Sequence, residues 1–198
     1  MYLVVISGFL GTGKTTAMLS FAAELRRAGR KTALIVNEIG EIGIDNVILR
    51  QSGASVWELL GGCICCTLAG SLAATLERLA AEYHPDIVLM EPSGAAHPDA
   101  VKAGLQFVKG GPVELKWLAL VDPLRLEELV AVLEPLMTSH AQAADAVLIT
   151  KAALATAEQI AAAERWIAGL RSGVPCFCAD MAGDAPRPAL RTIFPCLS

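Results

Sequence analysis

The chain has 198 residues, 54% of them apolar and only 5% aromatic, with a net charge of −4 and a mean hydropathy of +0.52. There is no basic stripe to meet a phosphate backbone, which argues against a nucleic-acid interface. No apolar run approaches the roughly 20 residues of a membrane-spanning helix. The N-terminus carries no basic leader, and six cysteines without an export signal point to reduced thiols and a cytoplasmic setting.

Taken in order, the chain alternates strand and helix. Strands are predicted at 2–7, 32–37, 86–90, 114–121, 145–149 and 174–178, and helices at 14–28, 68–83, 97–109, 124–136 and 154–171. Such alternation implies right-handed crossovers and a doubly wound, mostly parallel α/β sheet with helices on both faces. One domain is expected over 1–181. Residues 182–198, with Pro186, Pro188 and Pro195, are expected to form an irregular tail.

The apolar run Tyr2–Ile6 leads into Gly8-Phe-Leu-Gly-Thr-Gly-Lys-Thr15, a complete G-x-x-x-x-G-K-[ST] phosphate loop that opens the helix predicted from Lys14. Strand, loop and helix in that order are the setting this motif needs. Gly8, Gly11 and Gly13 let successive N–H groups converge on one concavity, and the helix N-terminus adds about half a positive charge. Lys14 is placed to reach the β- and γ-phosphates and the Thr15 hydroxyl to ligate Mg²⁺. A nucleoside triphosphate is therefore the expected ligand.

After the second strand, Asn37-Glu38-Ile-Gly-Glu41-Ile-Gly-Ile-Asp45 sets acids among glycines, the pattern of a switch loop. Carboxylates beside a triphosphate need a cation between them, so Mg²⁺ or a polarised water explains their presence. An ordinary polar loop is the alternative. Gly62-Cys63-Ile-Cys65-Cys66-Thr-Leu68 then packs three thiols into four residues before a helix. Thiolates that close repel one another, and a borderline cation such as Zn²⁺ relieves the repulsion. The fourth ligand is water, a carboxylate such as Glu41, or the same motif on a second subunit. A redox-active thiol pair and small buried hydrophobes are the alternatives. Further on, Asp86–Met90 is an apolar strand ending in Glu91-Pro-Ser-Gly94. Glu91 is the candidate Mg²⁺-associated acid, and the Gly94 N–H the candidate sensor of the γ-phosphate. Cys176 and Cys178 share a strand face and are read as buried small residues, with a second thiol site as the alternative. His84 and His140 read as helix-end positions with no constellation around them, and His97 as a helix-start surface residue. No arginine falls near the phosphate loop in the sequence, so slow intrinsic turnover is expected, accelerated by a partner or by dimerisation.

Together, Ser7–Thr16, Asn37–Asp45, Gly62–Leu68, Glu91–Gly94, Val121-Asp122 and Gln142–Asp145 resemble the CobW-type GTPases, relatives of the urease and hydrogenase nickel-insertion GTPases. The resemblance covers about residues 2 to 154. It implies a SIMIBI-type P-loop NTPase domain that acts as a metallochaperone or in metallocentre or cobalamin-related assembly. It implies GTP, with ATP as the other option, held by Gly8, Gly11, Thr12, Gly13, Lys14, Thr15, Thr16, Glu38, Gly94 and Lys151. Mg²⁺ would be held by Thr15, Glu38 and Glu91, and Zn²⁺, Co²⁺ or a similar ion by Cys63, Cys65 and Cys66. Lys14, Glu41, Asp45 and Glu91 would serve hydrolysis, with Glu41 or Asp45 orienting the water. The implied partners are a client metalloprotein or corrinoid protein and a second copy in a nucleotide- or metal-dependent homodimer. Two features depart from the family pattern. Thr150-Lys151-Ala152-Ala153 stands where a guanine-reading N-K-x-D is expected, with Asp180 as a stand-in acceptor, and the family's usual further C-terminal domain does not follow. A non-hydrolysing nucleotide-gated module regulating a metalloenzyme or corrinoid protein is the rival function. A P-loop kinase is a third reading, opposed by the isolation of Arg125.

Overall fold

The computed structural model describes residues 1–36, 55–58, 68–94, 96–109, 113–180 and 191–194. Seven strands form one sheet in the order β3-β2-β4-β1-β5-β6-β7, with every neighbouring pair parallel. They are β1 Tyr2–Ser7, β2 Thr32–Val36, β3 Ser55–Glu58, β4 Ile87–Glu91, β5 Glu114–Val121, β6 Ala146–Ile149 and β7 Cys176–Cys178. The helices are α1 Lys14–Arg27, α2 Leu68–Arg78, α3 Pro98–Leu105, α4 Leu126–Ala143 and α5 Ala157–Leu170.

Successive side chains of a strand point to opposite faces, and β1 shows the result. Val4 and Ile6 join Ala17, Met18, Phe21 and Leu25 of α1 in one core layer. Leu3 and Val5 join residues of α2, α3, α4 and α5 in the other. Because both faces are covered, the central strands read as unbroken apolar runs rather than alternating ones. Within the stretch 182–198, Ile193 and Phe194 are fully buried. The Phe194 ring meets Phe21 edge-on at 5.9 Å, and the Tyr2 hydroxyl donates to the Ile193 carbonyl at 2.8 Å.

The expected sheet is present with one added strand. β3, Ser-Val-Trp-Glu, is short and half polar because, among the described residues, it lies at the sheet edge and pairs only with β2. The helix expected over 124–136 runs on to Ala143. Pro135 lies inside it, and the backbone leaves helical geometry at Leu133 (φ −131°, ψ 29°). Proline denies a backbone donor and crowds the preceding turn, so the helix kinks and resumes. The helix expected over 154–171 begins only at Ala157, after a 3₁₀ turn over Ala152–Leu154. Thr156 and Gln159 form a reciprocal capping box at that start.

Candidate functional site

Parallel sheets bind ligands beyond the carboxyl ends of their strands. At that edge Ser7 closes β1 with its hydroxyl accepting the Trp117 indole N–H of β5 at 2.7 Å, which fixes where the loop departs. The turn 8–13 then closes on one acceptor. The Phe9 carbonyl receives the Thr12 amide at 3.2 Å, the Thr12 hydroxyl at 2.8 Å and the Lys14 ammonium at 3.3 Å. Gly8 has φ +146°, and a Cβ there would stand 2.8 Å from both the Leu120 carbonyl and Thr12 Oγ1. No side chain fits. Gly13 caps α1, whose N-terminus has no side-chain cap and no acidic residue in its first turn. Those amides are left for an anion, and Thr16 lies exposed on the same turn.

β4 delivers Glu91 beside this loop. The Thr15 hydroxyl donates to Glu91 Oε2 at 2.8 Å, and Lys14 Nζ lies 3.9 Å from Oε1. Lys14 is buried. Desolvation lowers its pKa, and the Glu91 carboxylate opposes part of that shift. The turn after Glu91 folds back on the loop so closely that a Cβ on Gly94 would meet the Leu10 amide nitrogen at 3.2 Å. A buried cation, uncapped helix amides and a hydroxyl–carboxylate pair make a donor set that fits a triphosphate with Mg²⁺. Glu91→Gln is expected to keep Mg²⁺-free nucleotide binding within about threefold. Its Mg²⁺-dependent gain in affinity should fall at least about tenfold, since a neutral amide is a poor ligand for a hard cation; titrations with and without Mg²⁺ check this.

Toward β6, the Thr150 hydroxyl donates to the Thr12 carbonyl at 2.9 Å. Lys151, in the left-handed region at φ 54°, places its ammonium 2.6 Å from Asp122 Oδ2. Of the expected nucleotide and catalytic residues, the structure thus brings Gly8, Gly11, Thr12, Gly13, Lys14, Thr15, Thr16, Glu91, Gly94 and Lys151 to one edge of the sheet. Glu38, Glu41 and Asp45, and the three thiols Cys63, Cys65 and Cys66, lie outside the described residues.

Four residues show features that the sequence did not: Arg125, His140, Cys176 and Cys178. Arg125, distant in sequence from the loop, donates from Nη1 to the Leu10 carbonyl at 3.4 Å, so a guanidinium does reach the loop rim. Only the fold-back of the chain after β5 reveals it. His140 lies within α4 and is 4% exposed, with neither ring nitrogen hydrogen-bonded among the described residues. Burial, then the charges of His97 and Lys14, pull its pKa down to about 4. Cys178 is exposed and Cys176 half-buried. Burial, with Glu164 nearby, raises both thiols, Cys176 to about 11. Thiols held protonated are poor metal ligands, and no cluster of metal-binding side chains occurs among the described residues.

A strand-fed glycine loop, its lysine and hydroxyl, and an acid at the end of the neighbouring strand define a P-loop nucleotide-binding protein. The model of the CobW/HypB/UreG nucleotide-binding domain matches residues 2–177, and the chain belongs to that family. It is 37% identical over 169 residues to the zinc chaperone YeiR of Escherichia coli, spanning 82% of this chain and 50% of YeiR. It is 32% identical over 143 residues to the zinc-regulated GTPase metalloprotein activator 1 of Dictyostelium discoideum, covering 66% of this chain and 29% of that protein. The chain therefore spans about half, or less, of the curated relatives it matches. Its fold is that of the hydrogenase maturation factor HypB from Archaeoglobus fulgidus (TM-score 0.73, 18% identity, 100% of this chain and 91% of the other). It is also that of a zinc-bound variant of the YjiA GTPase (TM-score 0.71, 23% identity, 98% and 61%). No helix among the described residues is long and apolar enough to cross a membrane.

Proposed function

We propose that this chain is the nucleotide-binding unit of a cytoplasmic metallochaperone NTPase. It would bind GTP or ATP and couple triphosphate binding and hydrolysis to the loading of a divalent metal, zinc before cobalt. The metal is cargo for a client metalloprotein or corrinoid protein, held at Cys63, Cys65 and Cys66. The observation that carries the reading is the contact of the Glu91–Gly94 turn with the phosphate loop, through Thr15–Glu91 at 2.8 Å and Gly94 against Leu10. Whatever fills the loop must move or brace that turn, which is the material of a switch. The zinc named in several relatives' descriptions favours zinc as cargo.

Lys14 and the α1 amides would hold the β- and γ-phosphates and neutralise charge as it develops on the γ-phosphoryl oxygens. Mg²⁺ would be held by Thr15, Glu91 and Glu38 and would supply further charge neutralisation when bound. Glu41 or Asp45 would orient the attacking water, and a homodimer would assemble in the triphosphate state. The test is phosphate release with and without Zn²⁺ or Co²⁺, together with metal titration in the presence of non-hydrolysable GTP or ATP analogues. Metal affinity is expected to rise at least about tenfold with a triphosphate analogue, a coupling of about 1.4 kcal/mol, and to lose that gain in Cys65→Ala. Tight nucleotide binding with no turnover under any condition would favour the non-hydrolysing module. Turnover only with an added acceptor would favour a kinase.

A further inference from the structure

We infer that this site grips purine nucleoside triphosphates without selecting guanine, because the turn after β6 offers no side-chain acceptor to the base. The inference rests on triphosphate binding at Gly8–Thr15 and concerns what happens beyond the phosphates.

The loop following β6 is clamped to the phosphate loop by Thr150, so residues 150–154 form the wall beside it. The side-chain polar groups of that wall are already committed. Thr150 is 1% exposed. Its single hydroxyl proton is directed at the Thr12 carbonyl at 2.9 Å and the Val121 carbonyl at 3.4 Å. Its amide donates to Val121 as well, at 2.9 Å. The Lys151 ammonium is held by Asp122 Oδ2. Asp122 is 2% exposed, and its other oxygen accepts the Leu124 amide at 3.0 Å, so this carboxylate is turned inward and spent. What remains on the surface is the stem of Lys151, half-buried, and the side chains of Ala152, Ala153 and Leu154. Ala153 is exposed, and Leu154 is 72% exposed.

Guanine presents two neighbouring donors, its ring N1–H and its exocyclic amine. A site discriminates sharply for such an edge only when it supplies matching polar groups, because the wrong base then leaves buried polar atoms unpaired. An apolar wall lacks that leverage. It contacts adenine, guanine and hypoxanthine alike, and the lysine stem provides a flat apolar surface for any of them. The shared triphosphate supplies the affinity.

The experiment is calorimetric titration of the full chain with Mg²⁺ and non-hydrolysable analogues of GTP, ATP and ITP. The three dissociation constants should agree within about tenfold. Ala153→Asp, an exposed position inside a 3₁₀ turn, should raise the preference for GTP over ATP to about 100-fold or more, with circular dichroism unchanged to show that the fold is kept. Asp180→Asn should leave the ratios unchanged. A native preference for GTP of 100-fold or more, its collapse in Asp180→Asn, or an Ala153→Asp variant with unaltered ratios would each overturn the inference alone. Failure of all three analogues to bind would bring down the underlying phosphate-loop reading with it.

Discussion

Lys14→Met is expected to abolish useful triphosphate binding while leaving the unliganded protein as stable as before, or more so. The ammonium is buried, has one backbone carbonyl at 3.3 Å and has a carboxylate only at 3.9 Å. Desolvation is the larger influence on it and lowers its pKa. The protein's own groups therefore compensate this charge incompletely, and a polyphosphate would supply the rest of the counter-charge. Removing one partner of a buried charged contact costs roughly 3–5 kcal/mol. Triphosphate affinity should accordingly fall about a thousandfold, since each 1.4 kcal/mol is tenfold. Methionine fills a similar volume without the charge, and replacing a buried ion by a packed apolar group is neutral or stabilising. The sign with pH follows. The folded pKa lies below the unfolded value of 10.5, so the unfolded state binds more protons between the two. Stability of the empty protein therefore rises with pH across that window, and the methionine variant loses that rise. Calorimetric titration and thermal melts at several pH values decide it. A variant that melts well below the native protein at neutral pH would assign Lys14 a structural role instead.

The phosphate loop was legible because its chemistry is local. Glycine spacing, lysine and hydroxyl lie within eight consecutive residues, and the strand before them and the helix after them are marked by apolar periodicity. Glu91 was legible for a related reason, since it ends an apolar strand that must lie beside β1. Arg125 was not. Its approach to Leu10 depends on how the chain turns after β5, and no local pattern encodes that. His140 does sit in the last turn of a helix, as the sequence suggests, but its burial was not legible, because helix periodicity cannot be followed past Pro135. β3 was missed because four half-polar residues at a sheet edge carry little periodic signal. In the base-side turn, Ala152 and Ala153 announced an absent acceptor. The sequence did not reveal that Thr150 and Asp122 are also spent.

The steepest acid sensitivity of this fold is expected to come from His140. An imidazole 4% exposed, without hydrogen bonds among the described residues, is neutral in the native state and ordinary once unfolded. Its pKa moves from 6.5 to about 4 on folding, and at 1.36 kcal/mol per unit that is about 3 kcal/mol. Between these values the unfolded chain binds the extra proton. Stability is therefore intact above about pH 6.5, falls as pH drops toward 4, and loses nothing more through this residue below that. Such a loss is a large share of the 5–15 kcal/mol that holds a domain together. His140→Leu removes the titrating group and the two unsatisfied nitrogens together, and an unpaired buried polar group costs about 1–3 kcal/mol. The variant should equal or exceed the native protein at pH 7.5 and unfold at higher urea concentration than the native protein at pH 5. Urea titrations at the two pH values test this, and parallel pH profiles for both proteins would show that the imidazole is paired or solvated after all. Because Lys14 is among the charges acting on His140, a bound polyphosphate that offsets that cation should raise the imidazole pKa. The acid-driven loss of stability through His140 should then be smaller when nucleotide is present, and the acid transition should move to lower pH by more than the net stabilisation of binding alone provides.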